Sequence, residues 1–180
     1  MVVLVMGPLW LLPKWRRDRH GPVDDLTGLP SRQEVKRRFD RLRDQREVLT
    51  IFADIDGLKA INDTYGHDAG DELLKFAAKA FTSTVRNQDA VARLGGDEFA
   101  VLTSGDWTQA RAQALADQLE ASLAEPVVLA DATVKVGVAV GIALPETPDE
   151  PSADVVKRAD QAMYARKAAI KGIAKPSQAA

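Results

Sequence analysis

The stretch Ala90–Leu102 reads AVARLGGDEFAVL. Two short apolar runs, Ala90–Leu94 and Glu98–Leu102, flank Gly95-Gly96. A two-glycine connection supplies the φ > 0 residues that a tight hairpin needs, so the stretch predicts two adjacent antiparallel strands. Working outward, Val48–Ile55 (VLTIFADI) is apolar and β-rich and reads as a buried strand ending on two aspartates. Thr133–Leu144 (TVKVGVAVGIAL) alternates and reads as one further strand. Between and around these runs the pattern is helical. Pro30 and the capping-box pair Ser31 and Glu34 open a helix to about Arg46, with Val35, Phe39 and Leu42 on one stripe. Asp71–Val85 is a second helix, carrying Leu74, Ala77, Ala78 and Phe81. A third begins at Asp106 as N-cap and runs to about Ala124, and a fourth spans Ser152 to about Lys171. The order predicts an α/β sandwich in which helices flank a mostly antiparallel central sheet, with βαββαβ as one natural arrangement.

The chain has 180 residues, enough for one domain with a real core. Lys+Arg 24 against Asp+Glu 26 gives a net charge of -2, which carries no general nucleic-acid footprint, so no nucleic-acid partner is expected. Cys 0 excludes disulfides, thiolate metal sites and a cysteine nucleophile, and His 2 excludes a poly-histidine metal centre. Metal or acid–base chemistry must therefore rest on carboxylates, lysines and backbone.

Residues 1–20 stand apart. Met1–Pro13 (MVVLVMGPLWLLP) is almost wholly apolar, and Lys14, Arg16, Arg17, Arg19 and His20 follow it. The run is shorter than the roughly 20 residues of a bilayer span. Its basic cluster lies after the apolar stretch, opposite to a secretory signal. Two readings stand: a short membrane-touching anchor, with Trp10 and Trp15 at the interface, or a disordered lead. The flanking charges place the rest of the chain in the cytoplasm, peripheral at the inner face of the membrane under the first reading. The folded domain is expected over 21–172, followed by a disordered tail over 173–180.

Two acidic pairs carry the chemistry. Alternation puts Asp54 and Asp56 on one face at a strand end. They read either as caps of the Gly57-Leu58-Lys59 turn or as a magnesium site, since hard cations want carboxylate and carbonyl oxygens. Asp97-Glu98 opens the strand after Gly95-Gly96, where its bland reading is a polar hairpin shoulder. If the hairpin lies beside the first strand, four carboxylates crowd one sheet end, which costs stability unless a cation neutralises them.

Gly95-Gly96-Asp97-Glu98-Phe99 is the motif that names the GGDEF domains, the diguanylate cyclases, and the resemblance extends along about residues 24–171. Asp24-Asp25-Leu26-Thr27-Gly28-Leu29-Pro30-Ser31-Arg32 resembles the family's D-x-L-T-G-L-P-N-R, with serine for asparagine. Asp54-Ile55-Asp56-Gly57-Leu58-Lys59-Ala60-Ile61-Asn62-Asp63 resembles D-I-D-x-F-K-x-I-N-D, and Tyr65-Gly66-His67-Asp68-Ala69-Gly70-Asp71 resembles F/Y-G-H-x-x-G-D. The last helix departs from Y-x-A-K-x-x-G-R-N: Tyr164 and Lys167 match, whereas Ile170 replaces glycine and Lys171 replaces arginine.

The resemblance implies a palm-like fold and the condensation of two GTP into cyclic di-GMP and two pyrophosphates by a homodimer with one GTP per domain. Asp54, the Ile55 carbonyl and Asp97 would hold magnesium or manganese. Asp97 or Glu98 would help deprotonate the 3′-hydroxyl, with the role undivided between them. The amides of Gly57, Leu58 and Lys59 would cradle phosphates, joined by the charges of Lys59, Lys167 and Lys171. Asn62 and Asp71 match the guanine-binding positions; helix capping is the alternative for both. Arg86-Asn87-Gln88-Asp89 matches the family's R-x-x-D product-inhibition motif. Arg93 either joins that site or makes a structural ion pair with the Asp24-Asp25 segment. The altered last motif favours an alternative in which the domain is a catalytically weak or inactive receptor for cyclic di-GMP or GTP.

Overall fold

The computed structural model describes residues 22–43, 48–129, 132–147 and 149–173. The lead over 1–20, the end of the first helix near Arg46 and the tail beyond 173 lie outside the described residues.

Within these bounds the elements run α1 (Arg32–Arg43), β1 (Val48–Ile55), α2 (Leu58–Tyr65), α3 (His67–Thr84), β2 (Ala90–Gly95), β3 (Glu98–Ser104), α4 (Gln109–Ala121), β4 (Val127–Leu129), β5 (Ala132–Val134), β6 (Val138–Ala143) and α5 (Ser152–Ile173). The main sheet has the order β2-β3-β1-β6 and every neighbouring pair is antiparallel. The predicted α/β sandwich with a flanked antiparallel sheet is the observed architecture.

Strand β1 is buried along its whole length, and its alternation divides the core. Leu49, Ile51, Ala53 and Ile55 join Leu73, Leu74, Phe81, Phe99 and Leu119 under α2, α3 and α4. Val48 and Phe52 face the other way, onto Val35 and Phe39 of α1 and Val155, Ala159 and Met163 of α5. Helix α5 lies directly on β6 at Gly141, where an added Cβ would sit 2.0 Å from the Met163 amide nitrogen and 2.4 Å from the Ala159 carbonyl oxygen.

Four local expectations change. The Gly57-Leu58-Lys59 turn opens a helix, α2, and the next helix begins at His67 rather than Asp71, because Gly66 at φ 86 breaks the two apart. The third helix is capped by Thr108, whose side chain accepts from the Arg111 amide, and not by Asp106. The Thr133–Leu144 strand divides: β5 pairs with β4 in a small hairpin, and the chain enters the main sheet only at β6. The capping box does not close. Glu34 bonds Arg41 at 3.0 Å, and the buried Ser31 hydroxyl has no partner among the described residues.

The β2–β3 hairpin is anchored from the segment that precedes α1. Arg93 donates to both carboxylate oxygens of Asp24 at 3.1 Å and to the Gly96 carbonyl at 2.8 Å. Asp24 also accepts from the Thr27 amide and hydroxyl. Burial alone would push the Asp24 carboxyl up, but the bonds from Thr27 and Arg93 outweigh it and hold the group below its ordinary value. A depressed carboxyl stabilises the fold above the unfolded-state pKa and loses that contribution as pH falls through the folded one. Asp24→Asn is therefore expected to cost about 1–2 kcal/mol at neutral pH, read from the denaturant midpoint, with the gap to the parent chain narrowing on acidification.

Candidate active site

The ends of β1 and β3 meet at the hairpin. Asp54 stands opposite Glu98 on one side and Ala139 on the other, and the Ile55 amide donates to the Asp97 carbonyl at 3.1 Å. The turn that brings Asp97 there needs two glycines in sequence: Gly95 at φ 137 and Gly96 at φ 54. Asp54 and Glu98 line an open cleft of about 610 Å³ whose far wall is α5, through Asp160, Gln161, Tyr164 and Lys167.

Lys167 reaches across that cleft and forms an ion pair with Asp54, which is 7% exposed. Burial is the main cause that pushes the Asp54 carboxyl up; the charges of Asp97 and Asp56 push the same way, and the Lys167 hydrogen bond opposes them. Burial would lower the Lys167 ammonium, but the bond to Asp54 and the charges of Asp54, Asp97 and Asp56 hold it above its ordinary value. The acidic crowding expected at one sheet end is thus present, with one lysine set against it.

Asp56 leaves the strand, donates its amide to the Gly137 carbonyl at 2.9 Å and keeps one buried carboxylate oxygen without a partner among the described residues. Gly57 then turns at φ 84 into α2 with no side-chain cap, so the first-turn amides of α2 are left open beside the carboxylates. Lys59 is exposed on that turn.

Asn62 lies within α2 and Asp71 in the second turn of α3, so neither caps a helix. The two helices pack closely at Gly70, where an added Cβ would lie 1.9 Å from Asn62 Oδ1. That oxygen is buried and has no hydrogen-bond partner among the described residues. Asn62 presents an amide, and Asp71, the residue after Gly70, presents a carboxylate; together they suit the N1–H and N2–H₂ donors and the N3 acceptor of guanine.

Hard-cation chemistry fits the donors present. Among the described residues no three acidic or histidine side chains converge as a closed metal cluster. Magnesium needs less: one or two carboxylates plus substrate phosphates. Asp54 and Asp97 supply two carboxylates, and the Ile55 carbonyl lies on the same strand end.

The sequence did not single out Arg32 as a site residue. It donates to Glu98 Oε2 at 3.1 Å and to the Leu94 carbonyl at 3.3 Å, tying α1 to both arms of the hairpin. Its signal was its place at the end of the Asp24–Arg32 motif. Lys171 falls in the last helical turn, where its backbone alone is described.

Arg86 and Asp89 form a separate cluster at the far end of β3. Arg86 donates through its amide and Nε to Asp89 Oδ2 and through Nη2 to Oδ1, at 2.9, 3.0 and 2.9 Å. Nη2 also reaches the Thr103 hydroxyl and the Ser104 carbonyl. The Asp89 side chain is 2% exposed and is taken up by Arg86. Arg93, in contrast, takes the structural ion pair with Asp24.

The family model described as "Diguanylate cyclase, GGDEF domain" matches residues 22–172. The diguanylate cyclase TpbB of Pseudomonas aeruginosa is 43% identical over 156 residues, which are 83% of this chain and 36% of that protein. The bifunctional diguanylate cyclase/cyclic di-GMP phosphodiesterase MucR of the same organism is 38% identical over 146 residues, 78% of this chain and 21% of that one. The chain therefore spans between about a fifth and a little over a third of these relatives' lengths. The isolated GGDEF domain of TpbB superposes with TM-score 0.75 at 38% identity, covering 82% of this chain and 90% of that structure. The GGDEF domain of DgcB from Caulobacter crescentus, solved in complex with c-di-GMP, gives TM-score 0.75 at 25% identity, covering 82% and 90%. With its palm-like sheet, its carboxylates at the hairpin and a family match over nearly all the described residues, the chain belongs to the GGDEF family of diguanylate cyclase domains.

Proposed function

We propose that this domain condenses two GTP into cyclic di-GMP, releasing two pyrophosphates, as a homodimer in which each domain brings one GTP. The observation that carries the reading is the meeting of Asp54, Asp97 and Glu98 at one strand end, with Lys167 set against them. Each domain offers one such site, so two facing domains are needed for two nucleotides.

Guanine seats between α2 and α3 on Asn62 and Asp71. The open amides of α2, with Lys59, hold the β- and γ-phosphates. Asp54, Asp97 and the Ile55 carbonyl would hold magnesium or manganese, and Lys167, which pairs with Asp54, would offer its ammonium to the phosphates. The cation supplies charge neutralisation at the phosphates. Asp97 or Glu98 takes the proton of the 3′-hydroxyl as that oxygen attacks the α-phosphorus of the facing nucleotide. Arg32 keeps the Glu98 carboxylate at the cleft. Two 3′–5′ phosphodiester bonds form and two α–β phosphoanhydride bonds break.

We assign Arg86 and Asp89 to product inhibition. Arg86→Ala is expected to relieve inhibition by added cyclic di-GMP several-fold in initial-rate assays; an unchanged inhibition curve removes the assignment. Among the described residues no helix is long and apolar enough to cross a membrane. We propose the cytoplasm as the place of action, peripheral at the inner face of the membrane if residues 1–20 touch it.

The deciding experiment is incubation with GTP and magnesium followed by chromatography of the products. Cyclic di-GMP and pyrophosphate are expected in a ratio of one to two, with specific activity rising with protein concentration as dimers form. A chain that makes no product at high protein concentration yet binds added cyclic di-GMP tightly is the receptor, the alternative favoured by Ile170 and Lys171.

A further inference from the structure

The last helix carries a side chain that its motif does without. Arg166 stands at the alanine of Y-x-A-K, directly before Lys167. Its guanidinium makes a two-armed bond to Glu120 near the end of α4: Nε donates to Oε1 at 3.0 Å and Nη2 to Oε2 at 2.7 Å. Oε1 also accepts from the Val140 amide at 3.4 Å. β6 is an edge strand of the main sheet, so Glu120 covers an edge amide. Helix α4 packs on one face of the sheet through Leu119, and α5 on the other through Ala159 and Met163. The Arg166–Glu120 pair therefore runs round the free edge of β6 and clasps the two helical layers together.

What this clasp fixes is the rotation of α5 over β1. At roughly 3.6 residues per turn, Arg166 and Lys167 leave the helix on opposite sides of the row that carries Met163 onto Gly141. Lys167 reaches inward to Asp54, and Arg166 reaches outward to Glu120. A closed circuit results. Asp54 follows Ala53, and Ala53 stands opposite Val140. Val140 donates to Glu120, Glu120 takes Arg166, and Arg166 precedes Lys167, which returns to Asp54. Gly141 sets how near α5 comes to the sheet, but a glycine offers no side chain to stop the helix from rolling. The two-armed pair opposes a roll, because both bonds must stretch together. Without it a roll carries the Lys167 ammonium away from Asp54.

We propose that Arg166, through Glu120, is a positioning residue for Lys167: the clasp sets the place of the ammonium in the cleft and thereby the affinity for the nucleotide's phosphates. The proposal rests on the assignment of Lys167 to the phosphates and names the pair that aims it. The clasp acts from outside, since neither Arg166 nor Glu120 is among the residues that line the cleft. Its side chains are 49% and 22% exposed, and ion pairs of that kind add little to stability. Its effect falls on the geometry of the site.

The test uses the full chain, magnesium and a GTP analogue with a methylene group between its α- and β-phosphorus atoms, which is bound but not turned over. Calorimetry reads affinity and a thermal melt reads the fold. Lys167→Ala is expected to bind the analogue about tenfold more weakly. Arg166→Ala restores the motif's own alanine and is expected to bind roughly fivefold more weakly, with a melting temperature lower by about 4 °C or less. Glu120→Gln should behave alike. Arg166→Ala placed in the Lys167→Ala background should add nothing, because the arginine acts through the lysine. Parent-like affinity in Arg166→Ala, or the same fivefold loss in the Lys167→Ala background, overturns the positioning role and leaves Lys167 at the phosphates. Parent-like affinity in Lys167→Ala, or no uptake of the analogue by the parent chain, removes the phosphate assignment and the positioning role with it.

Discussion

Asp97→Ala is expected to lower cyclic di-GMP formation by about a thousandfold while leaving the fold intact. The residue occupies the turn between β2 and β3, and what the scaffold takes from it is main chain: the Ile55 amide bonds its carbonyl at 3.1 Å. Its carboxylate acts in both directions: it adds to the repulsion that lifts the Asp54 carboxyl and to the attraction that holds the Lys167 ammonium. Removing it relieves the first and forfeits the second, so the melting temperature should change little. The rate should fall because, in the proposed mechanism, Asp97 is one of the two carboxylates that would hold the cation; a loss of about 4 kcal/mol of charge stabilisation corresponds to that thousandfold. Asp97→Asn keeps the shape and loses the charge, and should fall nearly as far. Turnover measured by chromatography, beside a thermal melt, separates the two effects. An alanine variant with parent-like turnover would overturn the assignment of Asp97 to the metal and the base.

The parts of the fold legible in sequence were those where the alternation has a physical origin in one place. β1 buries every residue, and the β2–β3 hairpin needs its two glycines, so both stood out. α2 did not. Only Ile61 of its residues is buried, its start is an uncapped Gly57, and its end is Gly66, so neither a stripe nor a cap marked it. β5 and β6 were merged because Val134, Val136, Val138 and Val140 are all buried on one face. The period of two runs unbroken through a point where the chain changes sheets, and only the pairing of β5 with β4 reveals the change. The site divides the same way. Its carboxylates were visible because adjacent acids at strand ends make poor core residues. The contacts of Arg32 with Glu98 and of Arg166 with Glu120 were not visible, since each joins residues far apart in the chain that no shared period or motif pairs.

Gly141→Ala should strongly destabilise this chain. The new Cβ would lie 2.0 Å from the Met163 nitrogen, 2.4 Å from the Ala159 oxygen and 2.6 Å from the Met163 Cα. All three are backbone atoms of α5, so no side-chain rotation relieves the overlap; the helix must move off the sheet. That motion opens the contacts of Val155, Ala159 and Met163 with β1 and β6. Overpacking against backbone of this kind costs about 3 kcal/mol or more, and for a domain of this size lowers the melting temperature by roughly 6–12 °C. The consequence reaches the site. Met163 is one helical turn before Lys167, so a helix displaced at Gly141 withdraws the ammonium from Asp54 and, in the proposed mechanism, from the phosphates. The KM for GTP should rise along with the loss of stability. Gly137→Ala is the matched control. An added Cβ there would meet Asp56 at 3.5 Å, ordinary contact, and the change should stay within about 1 kcal/mol. A Gly141→Ala variant that melts with the parent chain would mean that α5 does not sit on β6 as described, and with it the position of Lys167 would fall.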